Sequence, residues 1–233
     1  MAKKFKNSKC IHCLKEFAEL TSDHVFPRSW YPSTTPENLE KWQAPCCKKC
    51  NQIYSKIEND LLQRFGMCID PKNSAAKGIA EKVMRSYKTQ HAKSEKDANH
   101  RLKTKQKLIS SLMPRGKIKK SALLPSKLPI PNTPFGILIP ADEYKKMGEK
   151  FIRGITYVID STYIDSAHKI SIYFQEELNA SYIYGLLEQY GKKYFCGDGI
   201  IMERAVIPED VQSGIYYIEL WKTTYMYGIV EPN

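Results

Sequence analysis

The chain is predicted to be α+β: a small cysteine-bracketed N-terminal unit, a basic helical segment, and a C-terminal α+β domain with a mainly antiparallel sheet. Three observations carry this. Two Cys-x-x-Cys pairs, Cys10 with Cys13 and Cys47 with Cys50, stand 33 residues apart. Of the formal charge of +11, residues 72–120 hold a local excess of +12, with fifteen Lys or Arg against Glu81, Glu95 and Asp97, so the rest sums to −1. Beyond residue 134 the chain turns to runs rich in Ile, Val and Tyr, side chains that favour a pleated, half-buried surface.

Residues 1–70 make the first unit. Residues 1–9 are polar and basic, a loosely ordered lead-in. Asp23 to Phe26 has the length of a short strand. The cluster of Pro27, Pro32 and Pro36 must be loop, because proline removes a backbone donor and restricts the residue before it. From Asn51 the period changes. Ile53, Ile57, Leu61 and Phe65 recur every four residues with Leu62 beside them, which predicts an amphipathic helix ending near Gly66.

Cys10, Cys13, Cys47 and Cys50 complete a tetrahedral ligand set for structural Zn²⁺. A unit with so few apolar residues is expected to need that ion to fold. No run of eighteen apolar residues occurs, and no apolar stretch follows the Met-Ala-Lys-Lys-Phe-Lys start. A cytoplasmic protein without signal peptide or membrane span is therefore expected. Thiols stay reduced in that compartment, which favours ligation over disulfides. Cys46, Cys68 and Cys196 then read as buried thiols, and His12, within a pair already complete, as exposed.

Residues 71–124 form the basic segment, with helices expected over Ala75–Tyr87 and His100–Leu112 and a hinge over Lys93–Asn99. A gripped polyanion, bound in a salt-dependent way, and a merely solvated helical face both account for the charge. Residues 125–134 carry four prolines, a stiff linker and the expected domain boundary. In residues 135–233, strands are expected over Phe135–Ile139, Ile152–Ile159, Lys169–Phe174, Gly199–Val206, Gly214–Leu220 and Thr224–Val230, with helices over Ala141–Gly148 and Asn179–Tyr190. This domain would recognise, regulate or oligomerise, through a homodimer or a protein partner. His91, His100 and His168 have no ligand pattern around them and read as surface or satisfied core positions.

Between the cysteine pairs lie Ser22-Asp23-His24-Val25-Phe26-Pro27-Arg28-Ser29-Trp30 and Pro36-Glu37-Asn38-Leu39, and Asn51 follows the last cysteine directly. This order resembles the HNH nuclease family, whose ββα-metal motif contains an Asp-His pair, a central Asn-Leu and a His or Asn opening a helix. Asn in the last place makes it similar to the HNN variant. The resemblance covers residues 8–66 or so, about a quarter of the chain.

The resemblance implies a metal-dependent endonuclease hydrolysing phosphodiester bonds of DNA, in a restriction or phage-defence role. By it, His24 is the general base, and Asp23 and Asn51 hold one Mg²⁺ or Mn²⁺. Asn38 does not touch the metal; its amide bridges the loop and steadies His24. Arg28, Lys48, Lys49 and Lys56 are within sequence reach of phosphates. A hard divalent ion with oxygen ligands and an imidazole near its ordinary pKa suit this hydrolysis. Other readings stay open: a zinc ribbon without catalysis, an inactive zinc-stabilised nucleic-acid-binding protein, or an effector gated by a partner. Glu58 reads as an exposed partner of Lys56 or Arg64, and Asn51 could serve only as a helix cap.

Overall fold

A computed structural model describes residues 3–114, 135–174 and 180–233. The proline-rich stretch 125–134 lies outside the described residues. The N-terminal sheet has three antiparallel strands in the order β1-β2-β3: β1 (Lys4–Lys9), β2 (Glu16–His24) and β3 (Gln43–Cys46). Residues 4–9 are thus a strand and not a loose lead-in. Phe5 pairs with Leu20 and packs on the small cluster of Leu20, Cys10, Cys46 and Cys47, an anchor that polar neighbours hide in the sequence. Pro45 is tolerated because β3 is an edge strand.

Helix α1 (Lys48–Met67) follows at once, its first turn capped by Cys47, whose sulfur accepts from the Cys50 N–H. Ile57, Leu61, Leu62 and Phe65 are buried as their four-residue period requires, whereas Ile53 is exposed. Because Cys47 is the cap, Asn51 is a residue of the first turn and not the cap itself.

The basic segment folds as α2 (Ile79–Ser86) and α3 (Glu95–Ser110). Helix α2 starts later than expected because Gly78 turns left-handed at φ 82°, and Ser74–Ala76 close a separate 3-10 turn. Helix α3 starts earlier than expected. Ser94 caps it by accepting from the Asp97 N–H, so most of the predicted hinge is its first turn. Helix α2 packs on α1 where Gly66 admits Val83, whose methyl would lie 2.5 Å from a Cβ at that glycine. Helix α3 is tied down by Leu108 and by the Lys107–Asp60 pair at 2.8 Å. Strands β4 (Leu112–Pro114) and β5 (Phe135–Ile137) pair antiparallel.

Helix α4 (Ala141–Asp160) corrects the largest misreading: Ile152–Ile159 is helical, not a strand. Its β-branched residues carry strand propensity, but Tyr144, Met147, Phe151, Ile152 and Ile155 are buried at helical spacing, and tertiary burial outweighs propensity. The second sheet follows with β6 (His168–Tyr173), α5 (Ala180–Tyr190), β7 (Lys192–Gly197), β8 (Ile200–Ile207), β9 (Asp210–Leu220) and β10 (Thr224–Pro232). Its order is β6-β10-β9-β8-β7, antiparallel throughout. Edge strand β7 was not foreseen; Lys192 and Lys193 mask it, and Phe195 faces solvent.

One hydrophobic core spans both halves. Val25, Phe26 and Trp30 from the loop after β2 meet Phe65 of α1, Phe151 of α4, and Leu220 and Trp221 of the second sheet. Trp221 donates its ring N–H to the Trp30 carbonyl at 2.9 Å, and the two indoles lie 5.6 Å apart.

His168 is held by two carboxylates, Nδ1 at 2.9 Å from Asp165 and Nε2 at 3.0 Å from Asp210. The Asp165 bond, then the Asp210 bond, outweigh burial and raise its pKa. The stability this contributes is full below the unfolded-state pKa of about 6.5 and is lost as pH rises through the higher folded value. Melting temperatures of wild type and His168→Gln are expected to differ modestly near pH 6 and to converge in mildly alkaline buffer. A gap independent of pH counts against the clamp.

Candidate metal centre and active site

The four cysteines converge from two places: the turn between β1 and β2, and the join of β3 to α1. Their sulfurs all lie within 4.8 Å of one another, with Cys13 and Cys47 3.9 Å apart. Zinc–sulfur bonds of ~2.3 Å in a tetrahedron set sulfurs ~3.8 Å apart, so the cluster fits zinc. Backbone N–H groups aim at these sulfurs, Cys47 N–H at Cys10 (3.4 Å) and Cys50 N–H at Cys47 (3.5 Å). Cys46, left over in the sequence, has a place here. Its thiol donates to the Cys47 carbonyl at 3.5 Å and lies beside Cys10, chiefly lowering the Cys10 pKa to about 3 while its own is raised.

Asp23 and His24 end β2. Asp23 is 9% exposed and faces inward. Burial pushes its pKa up, but His12 and Lys150 beside it prevail and the net shift is downward. Its Oδ2 is buried and accepts no hydrogen bond, although Lys150 Nζ stands 3.1 Å away as an ion pair. A buried carboxylate oxygen without a hydrogen-bond donor suits a cation, and here it is paired with the Lys150 ammonium. His24 is half-buried; burial first, then the charge of Arg28, lowers its pKa and keeps the imidazole neutral at pH 7.

Asn51, in the first turn of α1, opens on a different space. It lines a groove of about 770 Å³ with Thr21, Lys48, Gln52, Ser55 and Lys56. Among the described residues, no hydrogen bond joins Asn51 to Asp23 or His24. Lys49 is exposed outside that lining. Asn38 is exposed on its loop and, among the described residues, makes no side-chain hydrogen bond; the His24 carbonyl is bound by Lys150 at 2.7 Å instead.

Three residues around Asp23 were misjudged or unseen in the sequence. His12 is not exposed. Its side chain is 3% accessible, leans on Tyr54 with ring centres 4.2 Å apart, and brings Nε2 to 3.8 Å from Asp23. Glu58 is not a surface partner of Lys56 or Arg64, since its carboxylate accepts from Lys150 at 2.6 Å. Lys150, on α4, is 1% exposed. His12, Asp23 and Cys46 also form a compact donor set. Cys46, however, has its thiol turned to the Cys47 carbonyl at 3.5 Å.

Among the described residues no helix is long and apolar enough to cross a membrane. No curated protein and no solved structure matches the chain. A family model does match, that of the HNH endonucleases, over residues 10–66, from the first cysteine of the cluster to the end of α1. Those residues are similar to the HNH endonucleases, and most of the chain lies outside the matched stretch.

Proposed function

We propose that the chain is a metal-dependent HNH-type endonuclease acting on DNA. The observation that carries this reading is the Asp23–His24 pair at the end of β2, inside the matched segment, with the His24 pKa lowered by burial and by Arg28. A neutral His24 accepts the proton of the attacking water. Asp23 and Asn51 offer the oxygen donors that Mg²⁺ or Mn²⁺ prefer, and zinc sits on the four cysteines. When bound, the divalent ion stabilises charge on the leaving oxygen.

Lys48 and Lys56, flanking Asn51 in its groove, and Arg28 near His24 meet phosphates. Lys96, Lys103 and Lys105, exposed on α3, extend the positive surface. The positioning amide implied for Asn38 has no support in its exposed setting. The C-terminal sheet is the place for a second copy or a protein partner, in a cytoplasmic restriction or defence role.

The test is cleavage of supercoiled plasmid at low salt with Mg²⁺ or Mn²⁺ against EDTA. His24→Ala is expected to lower the rate by about 10²–10⁴-fold while leaving plasmid binding intact. Equal cutting by wild type and variant would remove His24 as the base. A second reading, binding without cleavage or cleavage only with a partner, is favoured by one observation, the opening of Asn51 onto a groove that Asp23 and His24 do not line. Plasmid that is bound and never cut supports it.

A further inference from the structure

Lys150 is a lysine where an apolar residue would pack. It lies on α4, 84 residues beyond the end of the matched segment, and is 1% exposed. Its ammonium meets three acceptors from two other elements. It donates to the His24 carbonyl at 2.7 Å and to Glu58 Oε1 of α1 at 2.6 Å, and stands 3.1 Å from Asp23 Oδ2. Gly154, one turn further along α4, has Val25 against it so closely that a Cβ would lie 2.8 Å from a valine methyl. Helix α4 therefore lies directly on the residue after His24, which is how the ammonium reaches the pair.

We infer that Lys150 is a positioning residue for the divalent-ion site: it fixes the Asp23 carboxylate and the backbone of His24, so that the endonuclease segment is completed by a helix outside it. This rests on the nuclease reading above. Two arguments favour positioning over plain stability. A buried ion triad is often no more stabilising than apolar residues of similar volume. The contacts also fall on the two consecutive residues whose geometry the chemistry needs, and they fill the place of the amide bridge that Asn38 does not make. Two carboxylates against one ammonium leave a net negative charge in which a divalent ion is still welcome.

Lys150→Met alone strands two buried carboxylates and is expected to unfold in part. The informative variant is Glu58→Gln/Lys150→Met in the full chain, which removes one charge of each sign and so preserves the local total. Weaker ion binding then reports geometry, because loss of the ammonium 3.1 Å from Asp23 would by charge alone tighten it. Mn²⁺ binding, read by electron paramagnetic resonance with Asp23→Asn marking the site, is expected to weaken by about 10- to 100-fold in the double variant. The Mn²⁺ needed for half-maximal plasmid cleavage should rise by the same factor, with half-saturation by DNA unchanged. Unchanged Mn²⁺ affinity in a folded double variant overturns the inference. So does tighter binding with faster cleavage, which would make Lys150 an occupant of the ion's place. Weaker Mn²⁺ binding in the double variant, together with a wild type that binds the ion but never cuts, would uphold the positioning role and sink the nuclease reading. A wild type in which Asp23→Asn removes no Mn²⁺ site overturns the inference outright.

Discussion

Replacing Cys47 with Ser is expected to cost the protein its N-terminal sheet. Cys47 does three things at once: its sulfur belongs to the four-cysteine cluster, the same sulfur caps α1, and its N–H points at Cys10. Structural zinc contributes about 10–16 kcal/mol of apparent binding free energy in small zinc units, as much as the whole of a typical domain's stability. The strands around the cluster rest on it directly, since Phe5, Phe17 and Leu20 pack against the cysteines. Wild-type protein should carry one zinc per chain. Cys47→Ser, or wild type after a strong chelator, should lose the metal, melt by ten degrees or more below the holoprotein, in keeping with about 2–4 °C per kcal/mol for a chain of this size, and show fast amide exchange in β1–β3. A variant that keeps its zinc and its melting temperature would mean that the cysteines are not the ligands.

Trp30→Ala is the second large effect expected. Trp30 is fully buried, edge-on to Phe65 at 5.8 Å and to Phe151 at 5.8 Å, with Trp221 at 5.6 Å and its ring N–H donating to the Glu58 carbonyl at 3.3 Å. Truncating an aromatic residue of this size in a core costs about 3–5 kcal/mol, because transfer free energy and the cavity add. Chemical denaturation should show that loss as a lower midpoint with a similar slope. Trp30 also anchors the loop that leaves His24, so plasmid cleavage should fall with stability even in conditions where the variant is folded. Trp221→Ala should not add fully to it, since the two rings share one contact. A drop below ~1 kcal/mol would show that this junction relaxes without cost.

Much of the site was legible because its signals are local. The cysteine pairs, Asp23-His24 and the four-residue stripe of α1 each sit within a few residues of one another, and local patterns survive without tertiary knowledge. What was not legible came from afar. Reading Ile152–Ile159 as a strand ended the preceding helix at Gly148, so Lys150 fell in a loop and could not be seen as a charge on an apolar stripe. Glu58 was open to discovery, since it lies seven residues after Asn51 on the same helix. His12 offered no signal, because only the fold turns it from the zinc cluster towards Asp23 and Tyr54. In the C-terminal half the strands were found where apolar residues dominate, and β7 was missed where lysines do.

The Trp221-to-Trp30 hydrogen bond bridges 191 positions of sequence. Translation adds roughly 5–20 residues each second, so Trp30 waits on the order of 10–40 s before its partner exists. For that interval the strand ending in Asp23 and His24 has left the ribosome without the wall it rests on, and for most of it Lys150 has not yet been made. A nascent chain of this kind lacks its finished core, and chaperones would find an exposed indole to hold. The site around Asp23 and His24 would take its final shape only once the last strands have closed.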